Sequence, residues 1–241
     1  MSIAANTFQK INQLPEGLVF TYKDVLSDTN QTEAVIKALN RMAQAGTIGK
    51  LAKGKFYKPE DSPFGPLKPS MDEELKDLLV KDGKRVGYFT GLSVYNALGL
   101  TTQVSFTIQI GRNDFKPPMK RGFYRIKFLK QKNEITETSI PALQILDAIR
   151  TINHIPDAHP HFVIMRMTSI IEGLNALEKK SLVELALAYT PQTRAIAGAI
   201  LDSLNNYELT EPLLKSLNPV TTYSIPGAIE ALQNGNKWNI R

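Results

Sequence analysis

The sequence predicts an α+β fold in two parts: a small N-terminal part of helices and short strands, then a larger part with a small sheet and a helical end. Three observations carry this. Short apolar runs alternate with cap and turn residues through the first 58 positions. Apolar residues recur at every second position in 104–110 and again in 122–129, which is the period of a strand. From Ile140 onward they recur at three- and four-residue spacing, which is the period of a helix.

Ser2 or Asn6 can cap a first helix with Phe8 and Ile11 on one face. Pro15-Glu16-Gly17 breaks it, and Leu18-Val19-Phe20 is a short extended run. Thr21 precedes Tyr22-Lys23-Asp24-Val25-Leu26 with Asp24 at the capping-box offset, so a brief helix starts there. Ser27 to Asn30 is a turn rich in cap residues. The next helix runs from about Gln31 to Ala45, with Val35, Leu39 and Met42 as its buried stripe and Ile36 beside them. Gly46 closes it. Residues 48–52 and 55–58 read as two strands around a tight turn at Lys53-Gly54, and Pro59 ends the second. Helix, strand, helix, turn, helix and β-hairpin, in that order, predict a winged helix-turn-helix over residues 1–62.

Residues 59–69 hold four prolines and Gly65, a linker or rigid edge between domains. A mixed α/β C-terminal domain is then expected over 63–241, with a helix and strand part at 63–132 and a mainly helical part at 133–241. Met71 to Lys81 has helical spacing. Thr90 is expected to cap a helix carrying Leu92, Tyr95 and Leu98, which Gly99 ends. Val104, Phe106, Ile108 and Ile110 alternate with polar residues as a strand. In the second alternating stretch Tyr124, Ile126 and Phe128 share one face, and Arg121, Phe123, Arg125 and Lys127 the other. Leu143, Leu146, Ile149 and Ile152 make a helical stripe, and three further short helices fall at Leu182–Tyr189, Pro191–Leu204 and Glu211–Leu217. No internal repeat is visible.

Composition narrows the function classes. The 241 residues are 42% hydrophobic and 22% charged, ordinary for a packed domain. With no cysteine, neither a disulfide framework nor a cysteine-based zinc site can form. The N-terminus lacks a basic segment followed by an apolar run, and no stretch reaches the ~18 apolar residues of a membrane span. A soluble, cytoplasmic protein is expected, without a membrane partner.

The net charge is +6, and its distribution says more than the total. Lys37 to Lys58 carries six cations and no acid, and Arg112 to Lys132 eight cations against Asp114 alone, so everything else is net acidic. Two basic zones on an acidic remainder suit a phosphate footprint, although a solvated basic surface has the same composition. In the first zone the helix from Gln31 would enter a major groove about 12 Å wide. Its candidate DNA-binding residues are Asn30, Gln31, Thr32, Lys37, Asn40 and Arg41, flanked by Thr29 and Gln44. Asn30 and Gln31 suit adenine, Lys37 and Arg41 suit phosphate, and Glu33 either accepts from cytosine or favours the positive helix end. Lys50, Lys53 and Lys55 would line the hairpin beside the minor groove or the DNA backbone, or else serve as a charged edge against aggregation. Phe56 and Tyr57 read as core. A second basic surface is expected from Arg112, Lys116, Lys120, Arg121, Arg125 and Lys127, suited to flanking DNA, an RNA or an acidic partner, or simply solvated.

Signals for catalysis are weak. His154, His159 and His161 are the only histidines, and Asp157 to His161 is one short loop without a matched partner, so no metal site is expected. There is no Gly-x-Gly-x-x-Gly, Walker loop or Gly-x-Ser-x-Gly, no carboxylate pair suits general acid–base work, and no cofactor is expected. The sequence reads as a binding protein, not an enzyme.

One block is more specific. Gly87-Tyr88-Phe89-Thr90-Gly91, followed by Tyr95-Asn96-Ala97-Leu98-Gly99-Leu100-Thr101-Thr102-Gln103-Val104, resembles the central block of the AbiE-type antitoxins of type IV toxin–antitoxin systems. Lys53 to Pro59 with Phe64-Gly65 looks like that family's wing and interdomain segment, and Leu217-Asn218-Pro219 and Trp238-Asn239-Ile240 are similar to its C-terminal end. The resemblance thus touches nearly the whole chain. It departs at Ser105, where many relatives carry proline. It implies a repressor that binds its own operator as double-stranded DNA through a winged helix. It also implies an antitoxin opposing a nucleotidyltransferase-like toxin, without a stable complex in the type IV class, and it implies no catalytic residue. The alternative is a module that neutralises such a toxin by direct contact.

Overall fold

The computed structural model describes residues 2–241. It is a mixed α+β chain of two compact units, residues 1–78 and 79–241.

The first unit opens with α1 (Ile3–Gln13), capped where the Ser2 hydroxyl accepts from the Ala5 N–H at 3.2 Å. Ile11 is buried, but Phe8 is exposed and the core-facing partner one turn away is Thr7. Thr7 can be buried because its hydroxyl donates to the Ile3 carbonyl at 2.8 Å. Strand β1 (Val19–Thr21) leads into the one-turn helix α2 (Tyr22–Val25), where Asp24 accepts from both the backbone and hydroxyl of Thr21. A short 3-10 turn (Thr29–Gln31) precedes α3 (Thr32–Gln44). Val35, Ala38 and Leu39 form its buried face, Met42 is half-buried, and Ile36 lies on the exposed side. Gly46, at φ 77°, reverses the chain into β2 (Gly49–Ala52) and β3 (Lys55–Tyr57). The sheet order is β1-β3-β2, antiparallel throughout, with Gly54 in the left-handed region at the hairpin tip. Gly49 lies opposite Tyr57, whose ring covers it so closely that a methyl group there would sit 2.0 Å from ring carbons. The core is Ile11, Phe20, Val25, Val35, Leu39, Ile48 and Phe56.

The proline-rich segment is not a free linker. Glu60 and Leu67 pair across it, and the Ser62 hydroxyl bonds to the Gly65 carbonyl at 2.6 Å. Helix α4 (Met71–Leu79) follows and is tied back into the same unit. Asp77 meets Lys55 at 2.8 Å, and Glu73 accepts from the Val19 N–H at 3.2 Å. These ties place the division at Leu78/Leu79, beyond the boundary expected at 62/63.

The second unit starts with a small hairpin, β4 (Val80–Lys81) and β5 (Lys84–Arg85), around Asp82-Gly83, both at positive φ. A four-stranded sheet follows in the order β6-β7-β9-β8, from β6 (Gly87–Thr90), β7 (Thr107–Arg112), β8 (Met119–Arg121) and β9 (Tyr124–Lys130). β7 and β9 run parallel, and the outer pairs are antiparallel. Two expectations fail here. Thr90 ends β6 instead of capping α5 (Leu92–Ala97), whose N-cap is Gly91 at φ 76°. The alternating stretch from Val104 becomes a strand only at Thr107, leaving Val104 and Phe106 exposed.

The remainder is helical: α6 (Ile140–Arg150), α7 (Pro160–Glu172), α8 (Ala176–Ala186), α9 (Pro191–Ser203), α10 (Tyr207–Lys215) and the single turn α11 (Ala228–Ala231). Helix α9 is its axis, buried from Ala195 to Asp202. Trp238 seats its ring against Gly198, where a side chain would collide with it. Backbone hydrogen bonds from Tyr223 to Asn239, from Arg241 to Tyr223 and from Ile225 to Arg241 close the C-terminal segment. No helix among the described residues is long and apolar enough to cross a membrane.

Candidate nucleic-acid interface

The six cations of the first basic zone divide by role. Lys58 donates to the Asn12 and Leu14 carbonyls, both at 2.9 Å, and so terminates α1. Lys55 is half-buried against Asp77. Both are spent inside the unit, so the expectation that Lys55 lines the outer edge of the hairpin gives way to an ion pair. Lys37, Arg41, Lys50 and Lys53 are exposed, and none has an ion-pair partner among the described residues.

The exposed face of α3 carries Glu33, Lys37, Arg41 and Gln44, with Asn40 half-buried between them. Asn40 is already committed. It donates to the Ile36 carbonyl at 2.9 Å and accepts from the Lys50 ammonium at 2.8 Å. That bond ties β2 to α3, and Lys50 also lies 5.9 Å from the Phe56 ring centre. The start of α3 is likewise structured. Asp28 accepts from the Asn30 N–H at 3.0 Å, and the Thr32 hydroxyl donates to the Thr29 carbonyl at 2.7 Å. Asn30 is exposed, whereas Gln31 and Thr32 are half-buried. Asn30, Lys37, Arg41 and Lys53 are therefore presented outward, while Thr32, Asn40 and Lys50 mainly position them.

The second basic zone is also sorted. Arg112 is 4% exposed and grips Asp114 with two bonds, at 2.6 and 3.1 Å, so it is not a surface cation. That hydrogen-bonded pairing holds the Asp114 carboxyl below the usual carboxylate range. The hairpin reverses at Gly122, and its register sets Lys120 opposite Arg125 and Arg121 opposite Tyr124. Lys120 thus joins Arg125 and Lys127 on the outer face, and Arg121 shares the Tyr124 face instead of the one expected. Two cations directly opposite on neighbouring strands repel each other, which an external anion would relieve. Lys116 is half-buried in the loop before β8. Phe115 and Phe123 are exposed in the same zone, and Phe106 is exposed ahead of it.

The histidines have local work. His159 caps α7 by accepting from the His161 N–H at 3.3 Å, and His161 lies 3.2 Å from the Gly227 carbonyl.

One polar cluster had no sequence signal. Asp147, fully buried on α6, accepts from the hydroxyls of Tyr88 at 2.7 Å, Thr90 at 2.8 Å and Tyr189 at 3.0 Å, and pairs with Arg150 at 3.3 Å. Gln131 donates to Tyr88 on β6 and to Tyr189 between α8 and α9. Burial pushes the Asp147 carboxyl up, against the pull of Arg150 and the hydroxyl donors. Burial, then the Asp147 charge, pushes the Tyr88 and Tyr189 hydroxyls up, so both keep their protons as donors.

Among solved structures, the fold is similar to the RV2827C protein from Mycobacterium tuberculosis. The TM-score is 0.56 at 13% identity, over 91% of this chain and 83% of that one. At that identity the likeness shows the fold alone. No curated protein matches the sequence. A family model does, over residues 6–160, and the chain thereby belongs to the family of unknown function DUF6088.

Proposed function

We propose that the first unit is a winged helix-turn-helix that binds double-stranded DNA, and that the protein represses its own operon as an antitoxin of the AbiE type. The observation that carries the reading is the face described above. The turn before α3 presents Asn30, α3 presents Lys37 and Arg41, and the β2–β3 hairpin presents Lys53, all exposed. A helix of this kind reads base edges from its N-terminal end and meets phosphate along its flanks. Asn30 is the candidate base reader, and Lys37, Arg41 and Lys53 are the phosphate contacts. The outer row Lys120, Arg125 and Lys127 offers a second surface for phosphate.

The test is a mobility shift on the DNA upstream of the protein's own gene, at low salt with competitor DNA. The wild type is expected to give a specific shift, and a Lys37→Glu, Arg41→Glu, Lys53→Glu variant to lose it. Absence of a specific shift in the wild type would overturn the repressor reading.

The exposed rings of Phe106, Phe115 and Phe123 favour a second reading, neutralisation of a nucleotidyltransferase-like toxin by direct contact. Co-expression separates the two. Under that reading the charge-reversed variant still neutralises the toxin and co-purifies with it. If relief from toxicity instead needs the DNA-binding face, direct contact is rejected.

A further inference from the structure

The second unit holds a cavity of about 320 Å³ whose charged lining is entirely cationic. Lys130 at the end of β9, Lys132 two residues on, and Arg150 at the end of α6 stand around it. Tyr189, Thr190 and Pro191 complete the wall where α9 begins. Neither Lys130 nor Lys132 has an ion-pair partner among the described residues, and both are exposed. The nearby carboxylate, Asp147, is fully buried outside the lining and meets Arg150 through one nitrogen at 3.3 Å.

The site is built rather than incidental. The Gln131 N–H donates to the Arg112 carbonyl at 2.7 Å, and Asn113 donates to the Gln131 and Asn133 carbonyls at 2.9 and 2.7 Å. The Gln131 side chain is locked between two tyrosine hydroxyls. Its neighbours Lys130 and Lys132 therefore leave a fixed backbone on the same side of an extended segment. Arg150 is held by Asp147 and lies 5.8 Å from the centre of the Tyr189 ring. A guanidinium fixed in this way loses little freedom on binding and keeps further N–H groups for a forked contact. The positive end of α9 adds to the same field.

We propose that this cavity binds a phosphate-bearing small molecule by its di- or triphosphate group. The volume suits a small ligand, and three convergent cations without an acid at the rim select a multiply charged anion. The inference is independent of DNA binding by the first unit, because every residue it uses belongs to the second.

The test is calorimetric titration of the full chain with inorganic pyrophosphate and, separately, with ATP. Lys130→Ala with Lys132→Ala should weaken pyrophosphate binding at least tenfold. Lys81→Ala with Lys84→Ala removes the same charge elsewhere in the unit and should leave it unchanged. Arg150→Lys keeps the charge but loses the fork, and should weaken binding several-fold. ATP binding tighter than pyrophosphate marks a nucleotide as the source, and equal binding marks the phosphates alone; either supports the site. The proposal is overturned if the wild type does not bind pyrophosphate at millimolar concentration, or if both double variants weaken it equally. It is also overturned if a short DNA duplex displaces the bound pyrophosphate, which would assign the cavity to a nucleic-acid backbone.

Discussion

Two aspartates with little exposed surface show burial and hydrogen-bond partners pulling a carboxyl in opposite directions. Asp147 and Asp202 are both nearly inaccessible. In Asp147 desolvation wins and the carboxyl is pushed up. In Asp202 burial also raises it, but hydrogen bonds from Lys237, Trp238 and Asn234 outweigh that and hold it below the ordinary range. The linkage signs are opposite. A raised folded-state value gives stability that is full at acid pH and lost as pH rises through it. A depressed value gives stability present above the ordinary carboxylate range and lost as pH falls. Melting temperatures measured against pH should therefore separate Asp147→Asn from Asp202→Asn. The wild type's advantage over the first should shrink as pH rises from the carboxylate range, and its advantage over the second should grow. Curves of the same sign would refute this assignment. Gly198 makes a second residue-scale prediction. A methyl group there would lie 2.1 Å from the Trp238 ring. The helix propensity gained by alanine, ~1 kcal/mol, acts against overpacking of about 1–3 kcal/mol. Because both ring and helix are fully buried, overpacking should win, and Gly198→Ala should lower the denaturant midpoint. A higher midpoint would show that Trp238 can move aside.

Among the elements, α3 and the β2–β3 hairpin make the most direct prediction. Each neutralised phosphate contributes roughly −0.9 to the slope of log K against log salt. Changing Lys37, Arg41 and Lys53 to alanine together should flatten that slope by about 2–3. Asn30→Ala should instead narrow the gap between specific and competitor DNA with little change of slope. An unchanged slope in the triple variant would remove α3 and the hairpin from the interface. These elements were legible in the sequence because local chemistry specifies them: the Thr21/Asp24 box, Gly46 after the helix and Gly54 at the tip. Where the reading failed, a non-local partner decided. Thr90 looked like a cap because hydroxyl residues often precede helices, but its hydroxyl is claimed by Asp147, 57 residues away in sequence. Val104 and Phe106 continue a period-2 pattern, yet the paired register with β9 begins only at Thr107, the Phe106 carbonyl accepting one last bond from Arg125. Arg112 is the exception, because its partner Asp114 is only two residues on and their pairing takes a basic residue off the surface. The turn Asp82-Gly83 is legible in the sequence, since this dipeptide commonly marks a hairpin. Nothing in the sequence pairs Arg150 with Lys130 and Lys132, because their meeting depends on how α6 packs against the sheet.

At the scale of the molecule, the two units differ in how much they can hold together alone. Among the described residues the first rests on ten buried apolar side chains, seven of them in one cluster, and a three-stranded sheet. The second has a continuous core running from Val94 to Ile240, crossed by α9 and closed by the C-terminal segment. Small domains bury a smaller share of their surface and are correspondingly marginal. A fragment of residues 79–241 is therefore expected to fold without the first unit. The chain contains a single tryptophan, and Trp238 is fully buried in this core. Its emission reports on the second unit directly. The fragment should show blue-shifted emission and one cooperative transition in urea, with Trp238 moving into water at the midpoint. Trp238→Phe keeps an aromatic ring but loses the bond from the indole N–H to Asp202 at 3.2 Å. That substitution should lower stability by about 2 kcal/mol, the cost of a buried hydrogen bond to a charged acceptor, with circular dichroism as the readout. Red-shifted emission and a gradual urea response from the fragment would show that residues 2–78 are needed for the second core to form.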